Sequence, residues 1–417
     1  MSASAADVVI VGGGIAGASA ASVLARRGLQ VVVLERQFEF RDRVRGETTQ
    51  PWGVVEMRRL GLEDVLVAAG GGYAAQMVPY DELRTPAEAE AGALPLGMLI
   101  SGVPGAFNVG HPQACTALLD HAEACGATVV RGVGDVDVTP RASTSASGPT
   151  IRYEHHGNMV ELSTRLVIGA DGRQSTIRRQ IGIELQHAES TATLGGMLVR
   201  DESWPAGMEV LGTEGDVHFL MFPRPDGIVR LYLALDRNAA VGGADRGERF
   251  LESFRLECCP PAASLPHAEV LGPCAFYVGT DSWHDSPMVD GVVLIGDAAG
   301  WSDPIIGQGT SVALRDARLV TDALLGDDWS PAAFEPYAIE RTERMRRLRM
   351  SGQLATKLRC TFTPEGRHRR GVIFEQMFTD PELLGAMLAT LSGPDTAPDE
   401  SFTDEGFQRR DCAPVPA

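Results

Sequence analysis

The sequence predicts an α/β fold in which two interleaved domains are followed by a helical region. Three observations lead to this prediction. The chain opens with an apolar strand, a glycine-rich turn, a helix and a second strand; two later apolar strands each end at an aspartate and a glycine; and the stretch between these later motifs alternates like an antiparallel sheet. At 417 residues, the chain is long enough for two or three domains.

The opening stretch, DVVIVGGGIAGASAASVLARRGLQVVVLER, has the order of a dinucleotide-binding unit. Gly12 permits a tight turn, Gly14 lets a pyrophosphate approach the backbone, and Gly17 lets the helix pack closely on the strand. The start of the helix offers free amides and a positive dipole to the phosphates. We therefore predict a Rossmann-like domain that binds a dinucleotide.

The second strand of this unit, residues 31–34, ends at Glu35. A carboxylate in this position can accept hydrogen bonds from a ribose diol. We therefore predict that Glu35 and the adjacent Arg36 contact the cofactor. This stretch alone does not distinguish NAD from FAD.

Two distant motifs narrow the choice of cofactor. LVIGADGRQSTIRR, residues 166–179, is a short apolar strand followed by Asp171, Gly172 and Arg178. GVVLIGDAAGWSDPIIGQGTSVALRDARLVTDALL, residues 291–325, is another strand followed by a Gly-Asp pair, a loop with several glycines and a helix. The three motifs in this order resemble the group A FAD-dependent aromatic monooxygenases, of the para-hydroxybenzoate hydroxylase type.

The resemblance extends over roughly residues 5–350 and implies that the dinucleotide is FAD. It also implies that NADPH or NADH binds transiently as a co-substrate, because the chain has one convincing nucleotide fingerprint. In the family the Asp-Gly motif contributes to that docking. This assigns Asp171 and Arg178 to the binding of the two nucleotides.

The Gly-Asp motif is expected to surround the flavin itself. Gly296 and Asp297 end the strand, and the carboxylate of Asp297 can bind a ribityl hydroxyl. Gly307 and Gly309 expose backbone amides toward the pyrimidine edge of the isoalloxazine, where negative charge develops on reduction. Pro304 rigidifies the loop, and in the family this position lies beside the flavin on its substrate side.

The loop RGETTQP, residues 45–51, resembles the Arg-Gly-Asp loop of these hydroxylases, with Glu47 in place of the aspartate. Arg45 can neutralise the FAD pyrophosphate or lie along the flavin. The short polar residues 48–50 are expected to line the space beside the ring. We therefore assign Arg45 and Glu47 to the cofactor site, and Arg45 and Pro304 to the reacting end of the flavin.

Three positions depart from the family pattern. The family usually has His and Asn after the Gly-Asp pair, where this chain has Gly300 and Ser311. A second family arginine, near the start of the helix QACTALLDHAEACG, is replaced by Gly110 or His111. We assign His111 to the cofactor site, and the FAD prediction does not depend on these positions.

The stretch between the Asp-Gly and Gly-Asp motifs contains alternating apolar residues separated by turn signals, which predicts an antiparallel sheet that roofs the flavin. A general base that deprotonates a phenol would help an aromatic hydroxylase, and His218, Tyr232 and Tyr277 are candidates. We place His218 in the predicted catalytic set. The candidate roof residues are Met197, His218, Leu220, Phe222, Leu231 and Leu233, most of which we interpret as core.

These motifs divide the chain into segments. The predicted segments are 1–75, 104–183 and 285–335 for the FAD-binding domain, 76–103 and 184–284 for the substrate-binding sheet, and 336–392 for C-terminal helices. The arginine-rich helix after Pro336 is expected to pack across the FAD domain with a solvated charged face. RASTSASGP is expected to form a hairpin tip, and residues 393–417, rich in Pro, Asp and Glu, a disordered tail.

Composition limits the possible partners. With 55 acidic and 37 basic side chains the formal net charge is −18, which repels phosphate backbones and anionic lipid. No apolar run approaches the ~18 residues of a membrane span, and the N-terminus does not look like a secretory signal. The seven cysteines are scattered without metal-binding spacing. We expect a cytoplasmic monomer or homodimer that binds no metal, nucleic acid or membrane and keeps its thiols reduced.

The resemblance implies a single-component monooxygenase that uses FAD, NADPH or NADH, and O₂. It would hydroxylate or epoxidise an aromatic or polyketide-like small molecule through a flavin C4a-hydroperoxide. A flavoprotein reductase of the geranylgeranyl reductase type shares the FAD motifs but consumes no oxygen. A flavin-dependent halogenase needs a lysine upstream of the Asp-Gly motif, whereas Lys357 is the only lysine. A flavin protein without enzymatic activity is the remaining alternative.

Overall fold

Two β-sheets flanked by α-helices form the fold, as seen in a computed structural model that describes residues 4–141, 148–190, 192–239, 242–243, 245–326, 328–377 and 379–403. The helices are α1 (Ile15–Arg26), α2 (Pro51–Arg59), α3 (Glu63–Ala68), α4 (Pro86–Ala91), α5 (His111–Ala124), α6 (Thr176–Gln180), α7 (Arg246–Glu252), α8 (Gly309–Leu324), α9 (Glu335–Arg359), α10 (Pro364–Gln376) and α11 (Pro381–Ser392). The predicted α/β class, with a second sheet and C-terminal helices, is confirmed.

The first sheet is mainly parallel. Its strands, in spatial order, are Met288–Val289, Val292–Leu294, Asn158–Gly169, Ser4–Val11, Val31–Glu35 and Thr128–Arg131. Only the first of these runs antiparallel to its neighbour. Val11 lies opposite both Leu34 and Gly169, so the carboxyl ends of the central strands meet at one edge. In open parallel sheets this edge is where ligands bind.

Both faces of the first sheet are covered. Helices α1, α5 and α8 pack on one face, where Ile10, Leu119 and Leu314 are buried in a common core. The strands Val136–Thr139 and Thr150–His155 form an antiparallel hairpin, which pairs with Asn158–Gly169 and covers the other face. The predicted tip of this hairpin falls largely on residues 142–147, which lie outside the described residues.

The second sheet is largely antiparallel. Its strands, in spatial order, are Glu269–Val270, Ala192–Arg200, Ile228–Asp236, Val217–Pro223, Met208–Glu214, Gln76–Asp81 and Leu94–Pro95, with Ala275–Val278 also paired to Ala192–Arg200. Met208–Glu214 and Gln76–Asp81 run parallel, because the earlier segment inserts beside a strand that comes much later in the chain. This pair departs from the all-antiparallel sheet that the alternation predicts.

Short strands complete the structure. Thr48–Thr49 and Gly72–Ala74 pair with Ala106–Asn108, and Gln186–His187 pairs with Ser282–Trp283. The first of these ribbons carries the RGETTQP loop between the two large sheets. The pairing of Thr48–Thr49 with Ala106–Asn108 therefore fixes the position of this loop.

Successive side chains along each strand of the second sheet point alternately to its outer face and to its inner face, which faces the first sheet. Phe219 and Met221 point into a core on the outer face, together with Val229 and Leu231. Leu220 and Phe222 point to the inner face, where they cluster with Tyr232 and Val44. Of the candidate roof residues, Met197, Leu231 and Leu233 therefore belong to the outer core.

Helix α9 packs against α8, but the run of charged residues along α9 does not simply form a solvated face. Arg341 is 1% exposed and Arg344 is 3% exposed, and both donate to the buried carboxylate of Asp316 on α8. A sequence pattern cannot show that charges on one helix are matched by a carboxylate on another. The prediction of a solvated face is wrong for these two arginines.

Part of the predicted disordered tail is folded. Arg347 of α9 donates to the carbonyl oxygens of Pro394 and Ala397 and pairs with Asp399, and Phe402 is buried. These contacts hold residues 393–403 against α9, which overrides the polar, proline-rich composition. Residues 404–417 lie outside the described residues.

Within the described part of the chain, no helix combines the length and apolar character of a membrane span. Six cysteines lie in this part, and none of them forms a disulfide. No cluster of metal-binding side chains occurs among the described residues.

Candidate active site

A cavity of about 930 Å³ lies at the carboxyl edge of the first sheet, between that edge and the inner face of the second sheet. The predicted site residues that line it are Gly12, Gly14, Glu35, Arg36, Arg45, Glu47, His111, Asp171, Gly296, Asp297, Pro304, Gly307 and Gly309. Gly17, Arg178 and His218 are not part of the lining. The folded chain therefore gathers its distant motifs around one space.

The glycine turn has the shape that a pyrophosphate requires. Gly12 has φ +105°, and a Cβ there would overlap the carbonyl oxygen of Ala170. A Cβ on Gly17 would overlap the carbonyl oxygen of Gly12, so this glycine serves packing. A Cβ on Gly14 would meet no atom within 4 Å. Because the N-cap of α1 makes no side-chain hydrogen bond, its first amides remain available for a phosphate.

Glu35 is held at the end of its strand by backbone amides. One carboxylate oxygen accepts from the amide of Gly13 at 2.7 Å, and the other accepts from the amide of Gln37 at 2.8 Å. These bonds fix the carboxylate beside the glycine turn. Its remaining lone pairs suit a ribose diol, and Arg36 lines the cavity next to it.

Asp297 faces an arginine that sequence reasoning missed. Its carboxylate accepts from Nε of Arg173 at 3.1 Å, and the guanidinium of Arg173 also lies over the ring of Trp301. Arg173 lines the cavity and follows the Asp171-Gly172 pair directly. Its place after that pair, at the end of a parallel strand, was the available signal.

The loop between Asp297 and α8 exposes backbone amides to the cavity. Pro304–Ile306 forms a 3₁₀ turn, and Gly307 follows in the left-handed region at φ +60°. Gln308 caps α8 without a side-chain hydrogen bond to it; its side chain accepts from Trp52 Nε1 at 3.0 Å and donates to the Thr390 carbonyl at 2.9 Å. The loop is thus fixed by α2 and α11, while the first amides of α8 stay available for a ligand.

A buried arginine clamps the turn that carries Asp297. Arg341 donates to the carbonyl oxygens of Ala299 and Gly300, each at 2.9 Å. Its Nε donates to Asp316, which also accepts from the amide of Gly296 at 2.8 Å. Helix α9 therefore supports the cofactor site from behind.

Two departures from the family pattern have structural explanations. Gly300 has φ +112°, and a Cβ there would press on the backbone of residues 282–283. Ser311 is fully buried, and its hydroxyl accepts from the amide of Gln50 at 3.1 Å. The residue types at both positions are therefore constrained by close packing around the loop between Asp297 and α8.

Glu47 lies in a buried ion cluster, although it also lines the cavity. Its carboxylate pairs with Arg230 at 2.9 Å and Arg224 at 2.7 Å, and Arg230 also pairs with Asp42 at 2.7 Å. Burial raises the pKa of Glu47, and Arg230 and Arg224 oppose this shift. The cluster fastens the RGETTQP loop to the second sheet. Glu47 is thus engaged by protein cations that come from residues almost two hundred positions away.

Arg45 and His111 differ in what they offer an anion. Arg45 lines the cavity and interacts electrostatically with Arg173 and Asp297. His111 opens α5 and packs against Gly46. Burial lowers the pKa of His111, so the imidazole is neutral near pH 7. Neither Gly110 nor His111, the two positions at which the family arginine would fall, therefore supplies a positive charge on this side of the site.

Arg178 lies behind the cavity. Its guanidinium donates to the carbonyl oxygens of Ala298 and Arg173, at 2.9 and 3.0 Å. It is therefore used to fix two cavity loops. The interpretation of Arg178 as a nucleotide contact is not supported, because these backbone acceptors occupy it. Asp171 does line the cavity, and it also accepts from the Thr176 amide at 2.7 Å.

His218 is fully buried away from the cavity lining. Its Nδ1 lies 3.0 Å from the hydroxyl of Thr213, and burial together with Arg359 lowers its pKa well below the usual value. The structure does not support the prediction that His218 is catalytic. The side chain of His218 points to the inner face of the second sheet, but at a position on the strand that does not line the cavity. Tyr232 and Tyr277 do line the cavity. Burial raises the pKa of Tyr277 to about 12 and also raises that of Tyr232, so both stay protonated and act as donors near pH 7.

Of residues 48–50, only Thr48 lines the cavity. It lies beside Gly307, where its methyl group is 3.3 Å from the position of a Cβ. Gln50 donates to the carbonyl oxygen of Gly307 from behind, at 3.4 Å. Of the three polar residues predicted to line the space beside the ring, Thr48 alone does so, with its methyl group beside Gly307 and its hydroxyl donating to Glu209.

Comparisons with known proteins agree with this geometry. Residues 5–350 match the family described as an FAD binding domain. Digeranylgeranylglycerophospholipid reductase 1 of Methanococcoides burtonii is 27% identical over 349 residues, covering 79% of this chain and 78% of the relative. An uncharacterized aromatic compound monooxygenase of Bacillus subtilis, YhjG, is 25% identical over 383 residues, covering 88% and 72%.

A solved structure supports the fold. The crystal structure of p-nitrophenol 4-monooxygenase from Pseudomonas putida superposes with a TM-score of 0.78, at 18% identity, and covers 94% of this chain and 99% of that one. This similarity concerns the fold alone. The glycine turn, the Asp297 turn and the amides of α8 fit FAD, and the family match covers all of them. The chain therefore belongs to the FAD binding domain family and is an FAD-dependent oxidoreductase.

Proposed function

We propose that the chain is a single-component monooxygenase that uses NADPH or NADH and O₂ to hydroxylate or epoxidise an aromatic or polyketide-like small molecule. One observation carries the proposal: the same cavity holds the cofactor loops on one side and an apolar, aromatic wall on the other. That wall consists of Leu194, Leu220, Phe222, Tyr232 and Tyr277. Its member Leu194 belongs to the cluster that contains Ile305 and Ile306, directly after Pro304, and Tyr277 packs against that cluster.

The chain's own residues would bind, orient and shield. The glycine turn and Glu35 would hold the dinucleotide, Asp297 would bind the ribityl chain, and the first amides of α8 would stabilise negative charge on the pyrimidine edge. When bound and reduced, FAD supplies the activation of O₂. The hydroxyl groups of Tyr232 and Tyr277 would donate hydrogen bonds to a polar group of the substrate.

Cations around the cavity support a transient nicotinamide nucleotide. The chain as a whole has a net charge of −18, yet the arginines that line this cavity are Arg36, Arg41, Arg43, Arg45, Arg173 and Arg179. The same cavity is lined by six carboxyl groups, those of Glu35, Glu47, Asp135, Asp137, Asp171 and Asp297, so its lining is formally neutral and repels an anionic co-substrate less than the rest of this acidic chain does. We assign the docking of this co-substrate to the lining arginines, with Arg173 in the role that the family resemblance gave to Arg178.

The second candidate function is reduction of an isoprenoid double bond. The similarity to the Methanococcoides reductase favours it, because that relative matches over 79% of this chain. The monooxygenase proposal is preferred because the cavity lining includes two tyrosines and a phenylalanine of the second sheet, which suit a compact aromatic ring. A halogenase is disfavoured because Lys357, the only lysine, is not a lining residue.

The test is an oxygen-electrode measurement on the purified, FAD-loaded protein with NADPH or NADH and a panel of phenols and quinones. A monooxygenase consumes O₂ in step with an oxygenated product, and stopped-flow reduction of its flavin accelerates when substrate is present. Substrate reduction without O₂ consumption would establish the reductase instead. Equal reduction rates with and without substrate, or a demand for a separate reductase protein, would contradict the single-component proposal.

A further inference from the structure

Glu209 is a fully buried carboxyl group that has no cationic partner. It lies on the strand Met208–Glu214 of the second sheet and is 0% exposed. One of its oxygens accepts from Asn108 Nδ2 at 2.9 Å and from the hydroxyl of Thr48 at 3.3 Å. Its other oxygen has no hydrogen-bond partner among the described residues. A buried carboxyl in this setting is not explained by ion pairing.

The charged groups nearby are engaged elsewhere. Glu47, which precedes Thr48, pairs with Arg224 and Arg230 on the second sheet. Asp81, on the strand beside Met208–Glu214, pairs with Arg370 at 2.8 Å. Glu47 and Arg224 adjoin strands around Glu209 in the chain, and the ionisable groups on the strands themselves are Tyr80, Asp81, Glu214, His218, Arg230, Tyr232 and Asp236. The polar side chains in hydrogen-bond contact with Glu209 are therefore the neutral Asn108 and Thr48.

Thr48 connects this buried group to the reaction space. Its hydroxyl donates to Glu209, and the same side chain lines the cavity beside Gly307. Asn108 holds the carboxyl in register, since its amide also donates to the carbonyl oxygen of Pro223 at 3.0 Å. Burial raises the pKa of Glu209 to about 7, and the hydrogen bonds from Asn108 and Thr48 oppose this shift only in part. The group can therefore take up or release a proton near neutral pH.

We propose that Glu209 receives the proton of a substrate hydroxyl through Thr48. In this step the substrate O–H bond breaks and its proton binds the Thr48 oxygen, while the proton of the Thr48 hydroxyl moves to the Glu209 carboxylate. The electron pair of the broken bond stays on the substrate oxygen. The charge passes from Glu209 to the substrate, which becomes an oxyanion with an electron-rich ring. This inference rests on the proposed function and narrows the substrate class to hydroxylated aromatics.

The relay uses residues that the sequence does not bring together. Thr48 and Glu209 are separated by 161 positions. Among the described tyrosines and histidines of the site, Tyr232 and Tyr277 keep their protons near pH 7, and His218 does not line the cavity. His111 does line it, but burial lowers the pKa of His111, which makes its imidazole a weak proton acceptor. Glu209 is thus a positioning residue that acts on the substrate only through Thr48.

The test uses Glu209→Gln, which keeps the shape and the acceptor oxygen, and Thr48→Val, which removes the relaying hydroxyl. Thr321→Val is the matched control, because Thr321 is a buried threonine on α8 whose hydroxyl donates only to the Arg318 carbonyl. For each FAD-loaded variant, kcat/KM is measured across the neutral pH range with phenol and with 4-nitrophenol, the more acidic of the two.

In the parent protein, kcat/KM with phenol should rise with pH and level off, with a midpoint near the pKa of about 7. Both test variants should lose this inflection and about a hundredfold in kcat/KM with phenol, which is the lower range for general base catalysis. The loss should be smaller with 4-nitrophenol, because a more acidic phenol needs less help to ionise. Thr321→Val should retain the parent profile.

An equal loss with both phenols, or an inflection that persists in Glu209→Gln, would overturn the inference and leave Glu209 a structural link between the sheets. Thr48→Val keeps the test open if Glu209→Gln fails to fold, since the carboxyl group is then unchanged. A parent protein that oxygenates no small molecule, with or without a hydroxyl group, overturns the proposed function, whereas one that oxygenates only molecules without a hydroxyl group overturns this inference alone. The two failures are therefore distinguished in the parent protein itself.

Discussion

Asp316 and Glu209 are both fully buried carboxyl groups, but the two regions that surround them treat the charge in opposite ways. Asp316 lies behind the cofactor loops and pairs with Arg341 at 2.9 Å and Arg344 at 2.6 Å. Burial would raise its pKa, but the two arginines outweigh burial and hold the pKa below its usual range. Glu209 lies behind the cavity-lining Thr48 and has only neutral donors, so burial raises its pKa to about 7. The presence of a cationic partner, and not the degree of burial, therefore decides whether each of these two acids stays charged.

This difference fits the tasks of the two regions. The cofactor loops need a fixed scaffold, and a permanently ionised Asp316 supplies one through its bonds to Arg341 and the Gly296 amide. The proposed proton transfer needs a group that can change its charge, and an acid without a cation can do so. Perturbed titration near a cavity is a recognised mark of chemistry, whereas a matched ion network is a mark of structure.

The largest expected effect is that of Asp316→Asn, which removes the charge that balances two buried arginines. The free energy of unfolding should fall by about 3–5 kcal/mol, because breaking a buried pair leaves uncompensated charge. FAD content should fall with it, since the Gly296 turn loses its support. Urea denaturation and released flavin measure both effects.

The matched control for this variant is Asp322→Asn. Asp322 is on the same helix, and its side chain is 56% exposed and paired with Arg318. Its loss should change stability by less than about 0.5 kcal/mol. Similar effects of the two substitutions would break the comparison, because burial and pairing would then not matter at Asp316.

A pH-dependent change in stability should distinguish Glu209 from Asp316. The pKa of Glu209 rises from 4.5 to about 7 on folding, so the folded state holds the proton more tightly. Its contribution to stability is fully present below about pH 4.5 and is lost as the pH rises toward about 7, by up to about 3 kcal/mol.

Glu209→Gln cannot ionise and should lose this pH dependence. Its free energy of unfolding should therefore increase relative to the parent as the pH is raised from acid to neutral. Urea denaturation of both proteins at several pH values measures the difference. Parallel pH curves would contradict the raised pKa of Glu209.

Asp297 is an intermediate case, because its side chain is 31% exposed and pairs with one arginine, Arg173. Asp297→Ala should leave the chain folded and weaken FAD binding about tenfold to a hundredfold, the cost of losing a hydrogen bond to a charged group. Quenching of FAD fluorescence gives the dissociation constant. Asp290→Ala is the control, because Asp290 lies at a turn outside the cavity lining and its side chain is similarly exposed (37%) and pairs with one arginine, Arg141. FAD affinity equal to that of the parent would reduce Asp297 to a structural turn residue.

The smallest effect is expected at the surface pair of Glu252 and Arg255, whose side chains are 55% and 56% exposed. Water screens such a pair, so Glu252→Gln should leave the denaturation midpoint and the FAD content unchanged within error. A clear destabilisation here would show that exposed charges in this strongly acidic chain matter more than the buried comparison implies.

The cofactor half of the site could be predicted from the sequence because its chemistry is local. Gly12, Gly14 and Glu35 act through a strand, a turn and a helix that adjoin in the chain, and Asp297 and Gly307 lie in one loop. Parallel strands then bring these loops to one edge of the sheet. The exceptions, Glu47 and Arg178, have side chains taken up by partners from elsewhere in the fold.

The sequence by itself determined the α/β class, the FAD family and many of the residues that line the cavity, because short-range periodicity and glycine spacing specify strand, turn and helix. Only the tertiary structure decided the electrostatics. Arg341 on α9 donates to Asp316 on α8, and Thr48 donates to Glu209, which lies 161 positions later in the chain. Whether a buried acid is paired depends on contacts between residues far apart in the chain, and no local pattern records them.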